Sequence, residues 1–161
     1  MVGGYVATGY SGRSTGEVED ELSRYYEWHD IDRIFLDQQS ASTDQVGYYE
    51  ELYEYVKDQS GSSIIIVVTN AEVPVPQAYI DIAEIIIVYE NSALPGDVLQ
   101  DWMKDYNKSH FGILPYGTSV SESEYDDLHE QVGGYVYVAS HASWMEVKGS
   151  VIDEQADWAG D

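Results

Sequence analysis

Short apolar runs alternate with longer amphipathic stretches along the whole chain. Residues 4–8 (GYVAT) form the first run and predict a strand. Ser14 and Glu17 then stand at the S-x-x-E spacing of a capping box, which predicts a helix to about Trp28. Val18, Leu22, Tyr25 and Tyr26 give that helix one apolar stripe. A second strand is predicted over 31–36, ending at Asp37-Gln38. A second helix, capped by Thr43 or Asp44, turns Tyr48, Tyr49, Leu52, Tyr55 and Val56 inward and stops near Gly61. Residues 64–68 (IIIVV) make a continuous β-branched run, the pattern of a parallel strand covered on both faces, and end at Thr69-Asn70. Pro74 and Pro76 interrupt the next segment, leaving at best a short helix over 77–82. A fourth strand over 85–89 (IIIVY) ends at Glu90. Pro95 suits the first turn of a helix reaching about Tyr106. A fifth strand over 111–114 ends near Pro115-Tyr116. Ser121 and Glu124 repeat the capping-box spacing ahead of a helix to about Gln131. A sixth strand over 134–138 (GYVYV) ends near Ser140-His141, and a weaker helical pattern runs over 147–159.

Strand starts near positions 4, 31, 64, 85, 111 and 134 are spaced as βα units with one helix each. No low-complexity linker divides the 161 residues, so the expectation is one α/β domain over 1–161. Six units are too few for a complete eight-stranded barrel and enough for a doubly wound sheet.

Charge narrows the class of partner. Thirty Asp and Glu against seven Lys and Arg give a net charge of −23. Nucleic-acid backbones and anionic membranes would be repelled, so neither is expected as a partner. The acids are spread along the chain, and only Lys57, Lys104, Lys108 and Lys148 supply lysine. This reads as the surface of a halophile, in which molar salt shortens the Debye length to about 3 Å and screens self-repulsion. The lack of cysteine removes disulfides, thiolate metal sites and thiol catalysis. No apolar run approaches the ~18 residues of a membrane span. The first residues carry neither the basic region nor the apolar core of a signal peptide.

The informative polar residues are set by position. Asp37, Asn70, Glu90, Tyr116 and His141 each come directly after a predicted strand. In a parallel α/β fold the strand C-termini open on one face, where ligand sites lie. Asp37 and Glu90 on that rim can form an acid/base or acid/nucleophile pair, or simply cap the next helix. The four histidines do not cluster as metal ligands, and no metal or cofactor is expected. His29 lies at a helix end, His129 on a polar helix face and His110 on the opposite rim. Tyr10, Tyr116 and Trp144 fall at strand ends, where aromatic faces can stack on sugars. A competing motif is the loop over 8–16 (TGYSGRSTG), loosely like a dinucleotide phosphate loop, with Asp37 as the ribose-binding acid. Its glycine spacing is not G-x-G-x-x-G, and Glu17, Glu19 and Asp20 crowd the helix N-terminus that a pyrophosphate would need.

These residues also resemble a family. Gly4-Tyr5-Val6 with Thr8, Tyr10 and Arg13 is similar to its "GYV-T-Y-G-R" strand and loop, and Ile34-Phe35-Leu36-Asp37-Gln38 to its "GIFFDE" motif. Tyr48-Tyr49 and Leu52 are similar to the next helix, Asn70 to the Asn of its "NPG" segment, and residues 83–90 to its "AD-IV-FE" strand. Residues 134–138 are similar to its last barrel strand. The family is the spherulation-specific family 4, or spherulin-4-like, group, which includes fungal glycoside hydrolases acting on galactosamine-containing polysaccharide. The resemblance spans nearly the whole chain. It implies a (β/α)8 TIM-barrel-like fold with a carboxylate cleft, about six of the eight βα units being present here. It implies Asp37 and Glu90 as the carboxylate pair; if the chain is a glycoside hydrolase, Tyr10, Arg13, Asn70, Tyr116 and His141 are expected to position the carbohydrate.

There are departures. The second acid of the family's Asp-Glu pair falls on Gln38, which keeps the shape of glutamate but cannot ionise. "NPG" becomes Asn70-Ala71-Glu72, and the "YG-R" glycine becomes Ser11. Family members begin with two further βα units, whereas Met1 lies just before the first strand here. The expectation is a truncated form or an open relative whose exposed strand edge is covered by a second chain or a second copy. Two functions are implied: a glycoside hydrolase using Asp37 and Glu90, or a non-catalytic carbohydrate-binding or structural relative. The dinucleotide-binding enzyme is the third.

Overall fold

The computed structural model describes residues 2–59, 65–132 and 134–140. The elements, in chain order, are β1 (Gly3–Ala7), α1 (Thr15–Trp28), β2 (Arg33–Asp37), α2 (Val46–Gln59), β3 (Ile66–Asn70), β4 (Ile85–Asn91), β5 (Phe111–Pro115), α3 (Glu122–Val132) and β6 (Tyr135–Val136). The strands form one sheet in the order β1-β2-β3-β4-β5-β6, with each neighbouring pair parallel. A doubly wound sheet reverses its strand order at a switch point. This sheet has no reversal, so its winding is that of a barrel wall, and the doubly wound expectation is corrected. Among the described residues β6 does not pair back onto β1.

Local chemistry accounts for the helices. Ser14 accepts from the Glu17 amide while the Glu17 carboxylate accepts from the Ser14 amide, a complete capping box at the start of α1. Ser121 and Glu124 exchange the same two bonds ahead of α3. Ser42 caps a 3₁₀ turn over Thr43–Gln45 that runs into α2. Val18 and Leu22 of α1, and Tyr49, Leu52 and Val56 of α2, are fully buried. They pack on the convex face of the sheet against Val6, Ile34, Leu36, Val67, Ile86 and Val88. The alternate residues of β1 and β2 point to the concave face, where Tyr5 is 52 % exposed and Phe35 is half-buried. The core therefore lies between the sheet and its helices on one side.

Three expectations change. Between β4 and β5 the structure has 3₁₀ turns at Asp101–Asp105 and Lys108–His110 in place of a helix over 95–106. Gly96 weakens helix there. Trp102 packs edge-on against both Tyr106 and Phe111, so side-chain contacts set this segment's path. β2 and β3 begin and end later than predicted, so Asp37 and Asn70 are the last residues of their strands. β6 shrinks from the five residues expected to two, extended by a bridge between Tyr116 and Ala139. At Gly134, a Cβ would lie 2.0 Å from the Phe111 carbonyl oxygen, so only glycine lets β6 approach β5. The predicted tail helix over 147–159, together with His141 and Trp144, lies outside the described residues.

Candidate active site

The C-terminal ends of β2, β3 and β4 bring three side chains together on the concave rim. The side-chain amide of Asn70 donates to Asp37 Oδ1 at 2.9 Å and to Glu90 Oε2 at 2.5 Å. Two oxygens sharing one nitrogen at those distances lie no more than 5.4 Å apart. Glu90 reaches this position through a register shift. Asn70 pairs with Ile87 in the sheet, so both point to the concave face. Strict alternation from Ile87 would turn Glu90 towards the helices. The shift between Ile87 and Tyr89 inserts one residue, pairs Glu90 with Leu114, and restores Glu90 to the face of Asp37.

Two residues outside the expected set join the cluster. The Tyr5 hydroxyl donates to Asp37 Oδ2 at 2.5 Å. Glu72, just beyond β3, accepts from the Tyr10 hydroxyl at 2.7 Å. The Glu72 amide donates to Asn70 Oδ1, and its carbonyl accepts from the Glu90 amide. Tyr10, Ser11, Gln38 and Glu72 all have positive φ, between 56° and 66°. Among the described residues these are the non-glycine positions in the left-handed region, and all four lie on loops at the strand C-termini. Strained backbone concentrated on one rim is a feature of functional sites.

The electrostatics of the cluster are one-sided. Among the described residues no Lys or Arg pairs with Asp37, Glu72 or Glu90. Burial pushes the Glu90 carboxyl up from its ordinary value; the Asn70 hydrogen bond opposes this, and the charges of Asp37 and Glu72 add to it. The Tyr5 phenol is pushed well above the usual range by burial and by its bond to Asp37. The Tyr10 phenol is pushed up to about 12, first by its bond to Glu72. Both phenols are therefore fixed donors at working pH. Glu84, on the opposite rim, differs. Burial alone would raise its carboxyl, but Lys57 at 2.7 Å, the Val67 amide and the Tyr53 hydroxyl hold it below the ordinary value. One rim neutralises its acid; the other keeps two carboxylates close with a shared amide between them. Such a pair can divide into a proton donor and an ionised partner.

The remaining expected residues are placed variously. Gln38 is held by its backbone, its carbonyl accepting from Thr8 Oγ1 at 2.7 Å and from the Tyr10 amide at 2.8 Å. Tyr116 lies just after β5 on the same rim, its amide donating to Asn91. Arg13 is not joined to the carboxylates: its guanidinium donates to the Ala7 carbonyl at 2.6 Å and pairs with Glu21 at 2.8 Å. The loop over 8–16 is a tight turn, Gly12 donating to the Gly9 carbonyl, and Glu17 occupies the helix N-terminus that a pyrophosphate would require. Tyr5 was legible only through strand alternation, which puts it on the face of Asp37. No sequence signal marked Glu72 beyond its being an acid two residues after a strand.

Comparison with known proteins agrees with this arrangement at the level of fold. The solved structure of Sph3 from Aspergillus clavatus, in complex with GalNAc, superposes with a TM-score of 0.71 at 24% sequence identity. It covers 87% of this chain and 64% of the fungal one, which shows a shared fold. Spherulin-4 of Physarum polycephalum is 33% identical over 92 residues, 55% of this chain and 26% of its own length. The chain thus spans about a quarter of the curated relative it matches and just under two thirds of the fungal structure. The family model for spherulation-specific family 4 matches residues 1–157, nearly the entire sequence. On the strength of that match, the chain belongs to spherulation-specific family 4.

Proposed function

We propose that this chain is a glycoside hydrolase in which Glu90 is the general acid and Asp37 the nucleophile. The observation that carries the reading is the Asn70 amide bridging the two carboxylates, which holds their nearest oxygens within 5.4 Å. Retaining glycosidases separate their carboxyl groups by ~5–5.5 Å, whereas inverting ones need ~6.5–9.5 Å to admit a water. Glu90 would give its proton to the glycosidic oxygen as Asp37 attacks the anomeric carbon and the carbon–oxygen bond breaks. Glu90, now ionised, would take a proton from water, whose oxygen displaces Asp37. The raised Glu90 and the two donors on Asp37 support this division of roles. Gln38, at the family's second acid, is not needed for it.

The substrate we infer is a polysaccharide containing N-acetylgalactosamine, supported by the GalNAc complex of the fungal neighbour. Tyr10, Tyr116 and His141 are proposed to position the sugar, and Arg13 to fix the β1 loop. We also read the whole chain, 1–161, as one domain with six of the eight units of a (β/α)8 barrel, its open edge covered by further chain or a second copy. The test incubates the protein with such a polysaccharide and measures new reducing ends. Asp37→Asn and Glu90→Gln are each expected to lower the rate at least about 100-fold. Undiminished rates would rule the assignment out. Binding without release by the unaltered chain would favour the non-catalytic relative, the reading that Gln38 supports.

A further inference from the structure

Asp37 has a donor on each oxygen, and only one comes from the expected set. Asn70 serves Oδ1; Tyr5 serves Oδ2 at 2.5 Å from a different strand. Tyr5 is itself fixed from several sides. Its ring stacks on Phe35 with centroids 6.0 Å apart and planes 13° from parallel. Its carbonyl accepts from the Tyr25 hydroxyl at 2.9 Å, and the preceding Gly4 leaves room for the Tyr25 ring, which a Cβ would meet at 2.9 Å. A half-exposed phenol is thus locked at the angle that meets a carboxylate one strand away.

We propose that Tyr5 is a positioning residue that, with Asn70, clamps the plane of the Asp37 carboxylate so that one lone pair faces the anomeric carbon. This rests on the glycoside hydrolase reading above. The groups facing Asp37 are Tyr5 from β1, Asn70 from β3 and Glu90 from β4, with Glu72 and Tyr10 one contact further out. With one donor removed, the carboxylate can swing about the remaining Asn70 bond. Orientation of a nucleophile affects the chemical step and not the affinity for substrate, so the signature is a loss in kcat with KM preserved.

The test compares the unaltered chain, Tyr5→Phe, and a chain carrying 3-fluorotyrosine at position 5. Phe keeps the ring and its stack on Phe35 but loses the hydroxyl; fluorotyrosine keeps the donor. The expected result is a kcat about tenfold lower in Tyr5→Phe, from loss of one charge-assisted bond, with KM unchanged and the rate restored by fluorotyrosine. A double-mutant cycle of Tyr5→Phe and Asp37→Asn, read by denaturant midpoint, needs no substrate and is expected to be non-additive. Additive midpoints overturn the proposal whatever the activity. Coupled midpoints with an unchanged kcat overturn it too, leaving Tyr5 a structural contact. If the unaltered chain cleaves no glycan, the hydrolase reading fails and Tyr5's role falls with it. If the unaltered chain cleaves and Tyr5→Phe cleaves as fast, only the Tyr5 proposal fails.

Discussion

On the proposed assignment, Glu90 trades stability for a role in the chemical step. Its carboxyl is raised by burial and by two neighbouring carboxylates. A glutamate whose folded value lies above its unfolded value of about 4.5 binds its proton more tightly when folded. Its stabilising contribution is complete below that unfolded value and is lost as pH rises through the folded value. Glu90→Gln removes the charge and is therefore expected to raise the melting temperature by a few degrees at pH 8, with the gain shrinking towards pH 4.5. Equal melting curves at pH 8 would contradict the burial and repulsion assigned to Glu90. The residue scale also shows how far the sequence could place side chains on the rim. Asp37, Asn70 and Glu90 were legible because parallel strands put their C-terminal residues on one rim. Alternation along β1 puts Tyr5 on their face, but its meeting with Asp37 depends on the β1–β2 register, and Glu72 depends on a left-handed turn that no sequence signal marks. Arg13, expected to position the sugar, bonds to the Ala7 carbonyl and Glu21, contacts set by short-range geometry.

Among the elements, irregularities set the site more than the regular strands do. The register shift in β4 aims Glu90 inward, and nothing in the run IIIVYE announces it. The capping boxes at Ser14 and Ser121 were readable because they are local, four-residue chemistry. The segment after β4 was misread because Pro95 and an apolar pattern resemble a helix start, while Gly96 and the aromatic packing of Trp102 favour short turns. β6 pairs with β5 through Gly112–Tyr135 and Ile113–Val136, an approach that Gly134 permits: a Cβ there would also lie 2.3 Å from the Lys108 carbonyl oxygen. Gly134→Ala is expected to destabilise the fold by about 2 kcal/mol, since backbone on two sides must move. Chemical unfolding measures this, and a loss near zero would mean that β6 contributes little to the sheet.

At the scale of the molecule, charge and winding are separate matters. The sequential parallel order is consistent with regular βα spacing, but the spacing alone allowed a doubly wound sheet as well, and strand order decided between them. The net charge of −23 adds nothing to the site chemistry beyond the acids already named. Ion pairs among the described residues engage Glu21, Asp32, Glu84, Asp97 and Asp101, so most of the described acids form no salt bridge with Lys or Arg. On the proposal that this surface is adapted to salt, the melting temperature is expected to rise from ~0.1 M to ~1 M sodium chloride, as the Debye length falls from about 10 Å to 3 Å. A flat response would remove the proposal without touching the site. The site itself is tested most directly by following digestion of an N-acetylgalactosamine polysaccharide by proton NMR, with Asp37→Asn and Glu90→Gln alongside. The account predicts that the unaltered chain first releases product with the anomeric configuration of the substrate bond, and that both variants release almost none. Product of inverted configuration, or release by either variant at the rate of the unaltered chain, would contradict it.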